Sequence, residues 1–200
     1  MTVAIVLAAG RSARMGSPKQ LLPAGDGVTI IESVVGQLGA SRVEEIVVVL
    51  GFRAEETAGV LRETCARVVV NGAFELGMTC SICCGIRAAR DADSYLICLG
   101  DQPVIPPAVV DAILETAQSS GAGIVVPTYD GGGGHPVFIQ GRYGDEVLQL
   151  GPDEGLNMFV RRHTQDTVRL EVDDKSVVED MDTPSDYERF ITSRRERGSQ

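Results

Sequence analysis

No apolar run in this 200-residue chain approaches the roughly 20 residues that a membrane-spanning helix requires, so no bilayer partner is expected. No basic leader precedes the first apolar stretch, residues 3–7, which is short and reads as a strand rather than a signal peptide. A cytoplasmic location is the expectation. Cysteines number five, an odd count that does not make a disulfide framework, so reduced thiols are expected. Basic charge is scarce: 18 Lys plus Arg stand against 28 Asp plus Glu, a net charge of −10. That balance argues against general nucleic-acid binding, which leaves a basic footprint. Internal repeats and long linkers are missing too. The length suits one domain with a sizeable core. Residues 1–193 are expected to form it, and residues 194–200, charged and without an apolar face, a frayed tail.

Apolar runs alternate instead with helical patterns. Strands are predicted at residues 3–7, 45–50, 67–70, 94–99, 123–126, 136–139 and 167–172. Thr29-Ile30-Ile31-Glu32 is a capping box that opens a helix running to about Gly39. Helices are also predicted at residues 54–65 and 79–89, after Pro106-Pro107, and after Thr183-Pro184, since proline suits a first helical turn. Early strands such as Ile46-Val47-Val48-Val49-Leu50 are apolar at every position, the mark of parallel strands covered on both faces. The order predicts an α/β, doubly wound fold with a mostly parallel sheet. Ligands of such sheets sit beyond the strands' carboxyl ends, which selects the turns after Leu7, Val70 and Leu99.

The first turn belongs to LAAGRSARMGSPKQLL, residues 7–22. Gly10 and Gly16 permit close backbone approach to a ligand. The Gly-x5-Gly-x2-Lys spacing is neither the Walker nor the dinucleotide pattern, but free amides with Arg14 as a planar fork and Lys19 as a point charge suit phosphate. The same residues also make an ordinary basic surface turn; their place after the first strand favours phosphate. Asp101, in Leu99-Gly100-Asp101-Gln102-Pro103, is by itself a turn or cap aspartate; facing a polyphosphate it is a magnesium ligand. A second carboxylate comes from residues 179–183, where Thr183 and Asp186 cap the last helix and Asp182 is left for a metal. In NGAFELGMTCSICCG, residues 71–85, Gly77 and Ser81 set a helix N-terminus near a ligand. Cys80, Cys83 and Cys84 share one helical face, without the partners of a zinc site, and are read as packing. Four glycines, residues 131–134, predict a mobile loop before His135 and Pro136. His135 is either structural or a substrate contact, and His163 is assigned to the surface.

These segments together resemble the molybdopterin nucleotidyltransferases, in particular the molybdenum cofactor cytidylyltransferase branch. LAAGRSARMGSPKQLL, VVNGAFELGMTCSICCG, LICLGDQPVI, GGGGHPVFI and VVEDMDTPSDYERF carry the resemblance from Leu7 to Phe190. It implies a Rossmann-like domain that transfers a nucleoside monophosphate from its triphosphate to the terminal phosphate of molybdopterin, releasing pyrophosphate. Leu7, Ala8, Ala9, Gly10, Arg11, Ser12, Arg14 and Lys19 match the nucleotide-binding turn. Asn71, Gly77 and Ser81 match the segment near base and sugar, and His135-Pro136 the acceptor loop. Asp101 matches the Mg2+ ligand, with Asp182 second; Arg14, Lys19 and Asp101 carry the catalytic role. Ala9, where guanylyl-transferring relatives have glycine, favours CTP. The chain departs from the family at Gly133, usually basic, and at its three clustered thiols. A molybdoenzyme is a further partner under this reading. The alternatives are the same chemistry on another phosphorylated acceptor, such as a sugar phosphate, or with GTP, and a non-catalytic cofactor carrier.

Overall fold

The computed structural model describes residues 1–12, 15, 18–151 and 153–197, with backbone alone over 195–197. Its elements are β1 (Thr2–Ala8), β2 (Pro23–Gly25), β3 (Val28–Thr29), α1 (Ile30–Gly39), β4 (Glu45–Leu50), α2 (Ala54–Val60), β5 (Arg67–Val70), α3 (Met78–Ala88), β6 (Ser94–Leu99), α4 (Pro107–Ser120), β7 (Ile124–Tyr129), β8 (Gly132–Gly133), β9 (Val137–Gln140), α5 (Gly144–Val147), α6 (Leu156–Arg162), β10 (Thr167–Glu171) and α7 (Pro184–Arg197).

Continuous apolar strands need cover on both faces, and the central strands β1, β4 and β6 receive it. The main sheet runs β10-β7-β9-β6-β1-β4-β5, with β8 attached to β7. Alternating residues of one strand enter opposite cores. Ala4, Val6, Ile46, Val48 and Leu96 pack with Val34, Leu38, Val110 and Ile113 of α1 and α4. Val3, Ile5, Val47, Val49 and Ile97 pack with Ile82 and Ile86 of α3 and Phe159 of α6. Strands β6, β1, β4 and β5 are mutually parallel, so their carboxyl ends open on one edge. The fold is thus the expected doubly wound, mostly parallel α/β sheet. Its exceptions are β9, antiparallel to β6 and β7, and the β7–β8 hairpin.

Local signals explain the boundaries. The Thr29 capping box is formed: Glu32 N–H donates to Thr29 Oγ1 at 3.4 Å, and Thr29 N–H to Glu32 Oε2 at 2.8 Å. Helix α2 stops at Val60 instead of reaching residue 65, because Leu61 turns into the core at 2 % exposure and Thr64 Oγ1 donates back to Leu61 O at 2.7 Å. Helix α7 runs to Arg197, past the expected start of fraying at 194, with Arg194 reaching Asp26 at 3.0 Å; residues 198–200 lie outside the described residues. Its Phe190 packs on Ala24, Ile30 and Met181, which fixes the segment carrying Asp182. Among the described residues no helix is long and apolar enough to cross a membrane.

Two loop expectations are corrected. Residues 130–134 are not slack: Asp130 (φ 50°) and Gly131 (φ 77°) form the two-residue turn of the β7–β8 hairpin, and Gly134 N–H donates to Pro127 O at 2.8 Å. His163 is not a plain surface residue. It bonds Glu146 at 2.8 Å and packs against Tyr143 and Phe159, with ring centroids 4.6 and 4.7 Å away.

Candidate functional site

The sheet edge predicted to bind ligand gathers side chains from three remote segments. Lys19, one of two lysines in the chain, sits in a short 3-10 turn and is only 8 % exposed. Its Nζ forms ion pairs with Asp101 and, at 2.9 Å, with Asp182 Oδ1. Burial alone depresses a lysine pKa; here the two carboxylates outweigh it and hold Lys19 above the usual range. Ser12 supports the turn, its Oγ accepting from Lys19 N–H at 3.2 Å. Gly100 N–H donates to Leu7 O at 2.9 Å, which ties the Asp101 turn to the end of β1.

The Asp182 carboxylate is engaged with Lys19, and the Asp182 backbone N–H donates to Asp186 Oδ2 at 3.1 Å. Asp186 also accepts from Thr183, as the capping reading requires. Two carboxylates meeting at one cationic nitrogen nevertheless make an oxygen-rich cradle that suits one hard divalent cation. Among the described residues no group of three or more His, Cys, Asp or Glu side chains is placed to hold a metal, so such an ion would need further oxygens from substrate phosphate. On α3, Cys83 is buried and donates to Val147 O at 3.4 Å, and Cys80 Sγ donates to Asn71 Oδ1 at 3.6 Å.

Around this centre the other expected residues take separate places. Leu7, Ala8 and Ala9 are buried at the end of β1, and Gly10 is exposed beyond them. Asn71 and Ser81 are both buried and bonded, Asn71 Nδ2 donating to Ser81 Oγ at 3.0 Å; Gly77 precedes α3 as its cap residue. Arg11 does not join Lys19. Its guanidinium pairs with Glu75 and lies 5.7 and 5.9 Å from the ring centroids of Phe52 and Phe74. Arg14 and Gly16 lie outside the described residues.

His135 and buried Pro136 lie where the hairpin meets residues 175–178. The ring nitrogen Nδ1 of His135 is 3.3 Å from Ile97 O. A carbonyl only accepts, so Nδ1 carries hydrogen and Nε2 is left as an acceptor. Burial lowers the pKa of His135, against the opposing effects of the Ile97 carbonyl, Asp180 and Asp101.

Gln102 and Asp180 were not singled out from sequence. Gln102, 2 % exposed, donates from Nε2 to Val177 O at 3.2 Å and Asp180 Oδ1 at 3.1 Å. Burial, then the charge of Asp101, raises the pKa of Asp180. Met181 N–H donates to Asp101 O at 3.1 Å. The signals were present: Gln102 adjoins Asp101, and Asp180 lies in the acidic run that supplies Asp182.

Lys19→Ala is expected to weaken nucleotide binding tenfold to hundredfold while the protein stays folded. A hydrogen bond to a charged group contributes about 1.5–3 kcal/mol. The side chains of Asp101 and Asp182 are 22 % and 39 % exposed, so water can solvate them after truncation. Calorimetric titration with CTP checks this; an unchanged affinity removes Lys19 from the site.

Residues 4–168 match the MobA-like NTP transferase domain. The chain is 28% identical to nicotine blue oxidoreductase of Paenarthrobacter nicotinovorans over 94% of this chain and 95% of that one. It is 26% identical to molybdenum cofactor cytidylyltransferase of Escherichia coli strain K12, over 95% and 94%. A probable molybdenum cofactor guanylyltransferase of Mycobacterium avium strain 104 is 33% identical over 64% of this chain and 62% of its own length. Among solved structures, a nucleotidyl transferase from Methanothermobacter thermautotroptrophicus superposes with a TM-score of 0.83 at 30% identity, covering 96% of this chain and 97% of that one. Rv0371c from Mycobacterium tuberculosis H37Rv, solved in complex with manganese, superposes with a TM-score of 0.76 at 27% identity, covering 96% and 98%.

Proposed function

The chain belongs to the MobA-like NTP transferase domain family and is a nucleotidyltransferase, and from that membership we propose that it transfers CMP from CTP to the terminal phosphate of a molybdopterin-type acceptor. The observation that carries this reading is the convergence of Lys19, Asp101 and Asp182 at the carboxyl edge of the parallel sheet. An acceptor phosphate oxygen attacks the α-phosphorus in line, and pyrophosphate leaves. The protein supplies no nucleophile; positioning and charge neutralisation lower the barrier. Lys19 serves the departing pyrophosphate as a compact cation, and Arg14 grips it as a fork. Asn71 and Ser81 orient base and sugar. His135, neutral with hydrogen on Nδ1, offers Nε2 to a donor on the acceptor molecule. Asp101 and Asp182 would hold Mg2+, which supplies charge neutralisation and orientation of phosphate oxygens. The carboxylate pair, observed on a single cationic nitrogen, fits that ion.

The decisive experiment is turnover with CTP, GTP or ATP plus molybdopterin, reading pyrophosphate and the mass of the product. Acceptor-dependent release with CTP supports the reading. Release with a sugar phosphate in place of molybdopterin moves the acceptor assignment, and none with any phosphorylated acceptor favours a carrier. The relative from Paenarthrobacter nicotinovorans is named for a redox reaction; such a reaction releases no pyrophosphate, so release separates nucleotidyl transfer from it, and a chain that releases none is distinguished from a carrier by assaying oxidation of a reduced nicotinamide cofactor.

CTP is expected to be preferred over GTP, and Ala9→Gly to narrow the preference severalfold. Ala9 is 5 % exposed at the end of β1, and one methyl is worth about 0.8 kcal/mol. Ratios of kcat/KM for the two nucleotides check this. Faster wild-type turnover with GTP counts against the cytidylyl assignment.

A further inference from the structure

The sequence rule that selected the turns after β1, β5 and β6 applies equally to β4, whose carboxyl end carries Gly51 and Phe52. Phe52 N–H donates to Ala9 O at 3.1 Å, so this turn is fastened to the nucleotide-binding turn. A Cβ on Gly51 would lie 2.6 Å from Phe74 Cβ and Cγ; the base of the Phe74 side chain therefore rests directly on the Gly51 backbone. Phe74 stands three residues beyond Asn71. Both phenylalanines are only partly buried, although burying an aromatic side chain fully is strongly favourable. The Arg11 guanidinium, planar and cationic, lies near both ring centroids, at 5.7 and 5.9 Å. The rings therefore already hold one flat, polar, π-binding group at the ligand edge of the sheet.

The geometry points to Phe52 and Phe74 as the surfaces on which the base of the nucleotide stacks, a role that rests on the nucleotidyl reading above. The base takes ring faces that the guanidinium covers, and Arg11, leaving Glu75, turns its fork toward the triphosphate. This reconciles two facts about Arg11. It stands in the triphosphate-binding motif, yet it pairs with Glu75 between aromatic rings rather than with the Lys19 cluster. It also limits base selectivity. Every base offers a π face, so stacking grips pyrimidine and purine alike and leaves discrimination to contacts at the base edge.

The test is calorimetric titration of wild type, Phe52→Leu, Phe74→Leu and Phe52→Tyr with CTP, GTP and inorganic tripolyphosphate, each with Mg2+. Melting curves on the same samples establish that the variants are folded. Each leucine variant is expected to lose roughly five- to hundredfold in affinity for both nucleotides, the range for removal of one stacking ring. Affinity for tripolyphosphate stays unchanged, and Phe52→Tyr, which keeps a ring, retains nucleotide binding. Unchanged CTP and GTP affinity in both leucine variants overturns the stacking role, as does an equal loss for tripolyphosphate. Wild-type protein that binds tripolyphosphate but neither CTP nor GTP overturns the nucleotidyl reading itself, and the stacking role with it.

Discussion

Asp101→Asn is expected to lose at least about a hundredfold in metal-dependent turnover, the order produced by removing one electrostatic group from a preorganised site. Asn keeps the size and one acceptor oxygen but not the charge that attracts a hard cation. Asp182→Asn is expected to lose less. Its side chain is 39 % exposed against 22 % for Asp101, so water more easily replaces what it provides. The fold is expected to survive the Asp101 change because two effects oppose each other. The variant loses one ion pair to Lys19, which still has Asp182. It also relieves Asp180, whose pKa the charge of Asp101 helps to raise. A net change of about 1 kcal/mol corresponds to roughly 2–4 °C in Tm for a chain of this size. A purely structural Asp101 predicts the reverse pattern, a clear loss of Tm with turnover kept. Melting and Mg2+-dependent pyrophosphate release on one preparation separate the two, and near-wild-type release puts the carrier alternative ahead.

Why was Asp101 legible, and its partner arrangement not? Strands β4 and β6 are legible to the residue because a strand buried on both faces must be apolar throughout, and a carboxylate one glycine beyond such a run is conspicuous; β5 carries the same apolar pattern although its Val70 is exposed. Thr29 and Glu32 were legible because a capping box is local chemistry at fixed spacing. The pairing of Lys19 with Asp101 and Asp182 spans 163 residues in its longer arm, and no local pattern encodes it. The resemblance named the three residues one by one; the fold brings them to one nitrogen. Helix α2 was over-extended because its apolar pattern continues through Leu61, whereas that leucine faces the core from a turn. Phe52 and Phe74 carry no sequence signal, because a lone aromatic after a strand has the pattern of ordinary packing, and only the fold sets both beside Arg11 and leaves them partly buried. The direction of β9 is hidden because a short apolar run, Val137-Phe138-Ile139, fits a parallel or an antiparallel neighbour.

The glycine run gives the sharpest contrast, since sequence and structure predict opposite signs for Gly134→Ala. In a mobile loop the substitution removes unfolded-state freedom and stabilises by about 0.4–1 kcal/mol. In the structure, a Cβ on Gly134 would lie 2.1 Å from Val177 O and 2.6 Å from Val177 C. Neither side can yield cheaply. Gly134 N–H is bonded to Pro127 O and His135 N–H to Val177 O, each at 2.8 Å, while Val177 O also accepts from Gln102. Overpacking of this kind costs about 1–3 kcal/mol, or roughly 2–12 °C in Tm. Gly133→Ala is the internal control. Its Cβ would meet Val126 Cγ1 at 3.4 Å and Arg169 Nη1 at 3.6 Å, ordinary contacts, and its Tm is expected to stay within a few degrees of wild type (about 1 kcal/mol at 2–4 °C each). The expected result is therefore a large drop for Gly134→Ala beside a small change one residue earlier. Turnover should fall with the first variant only, because Val177 leads directly into the segment that presents Asp180 and Asp182. Thermal melting of the two single variants checks it: a raised Tm for Gly134→Ala restores the mobile loop, and a similar drop in both assigns the cost to the hairpin instead of the Val177 contact.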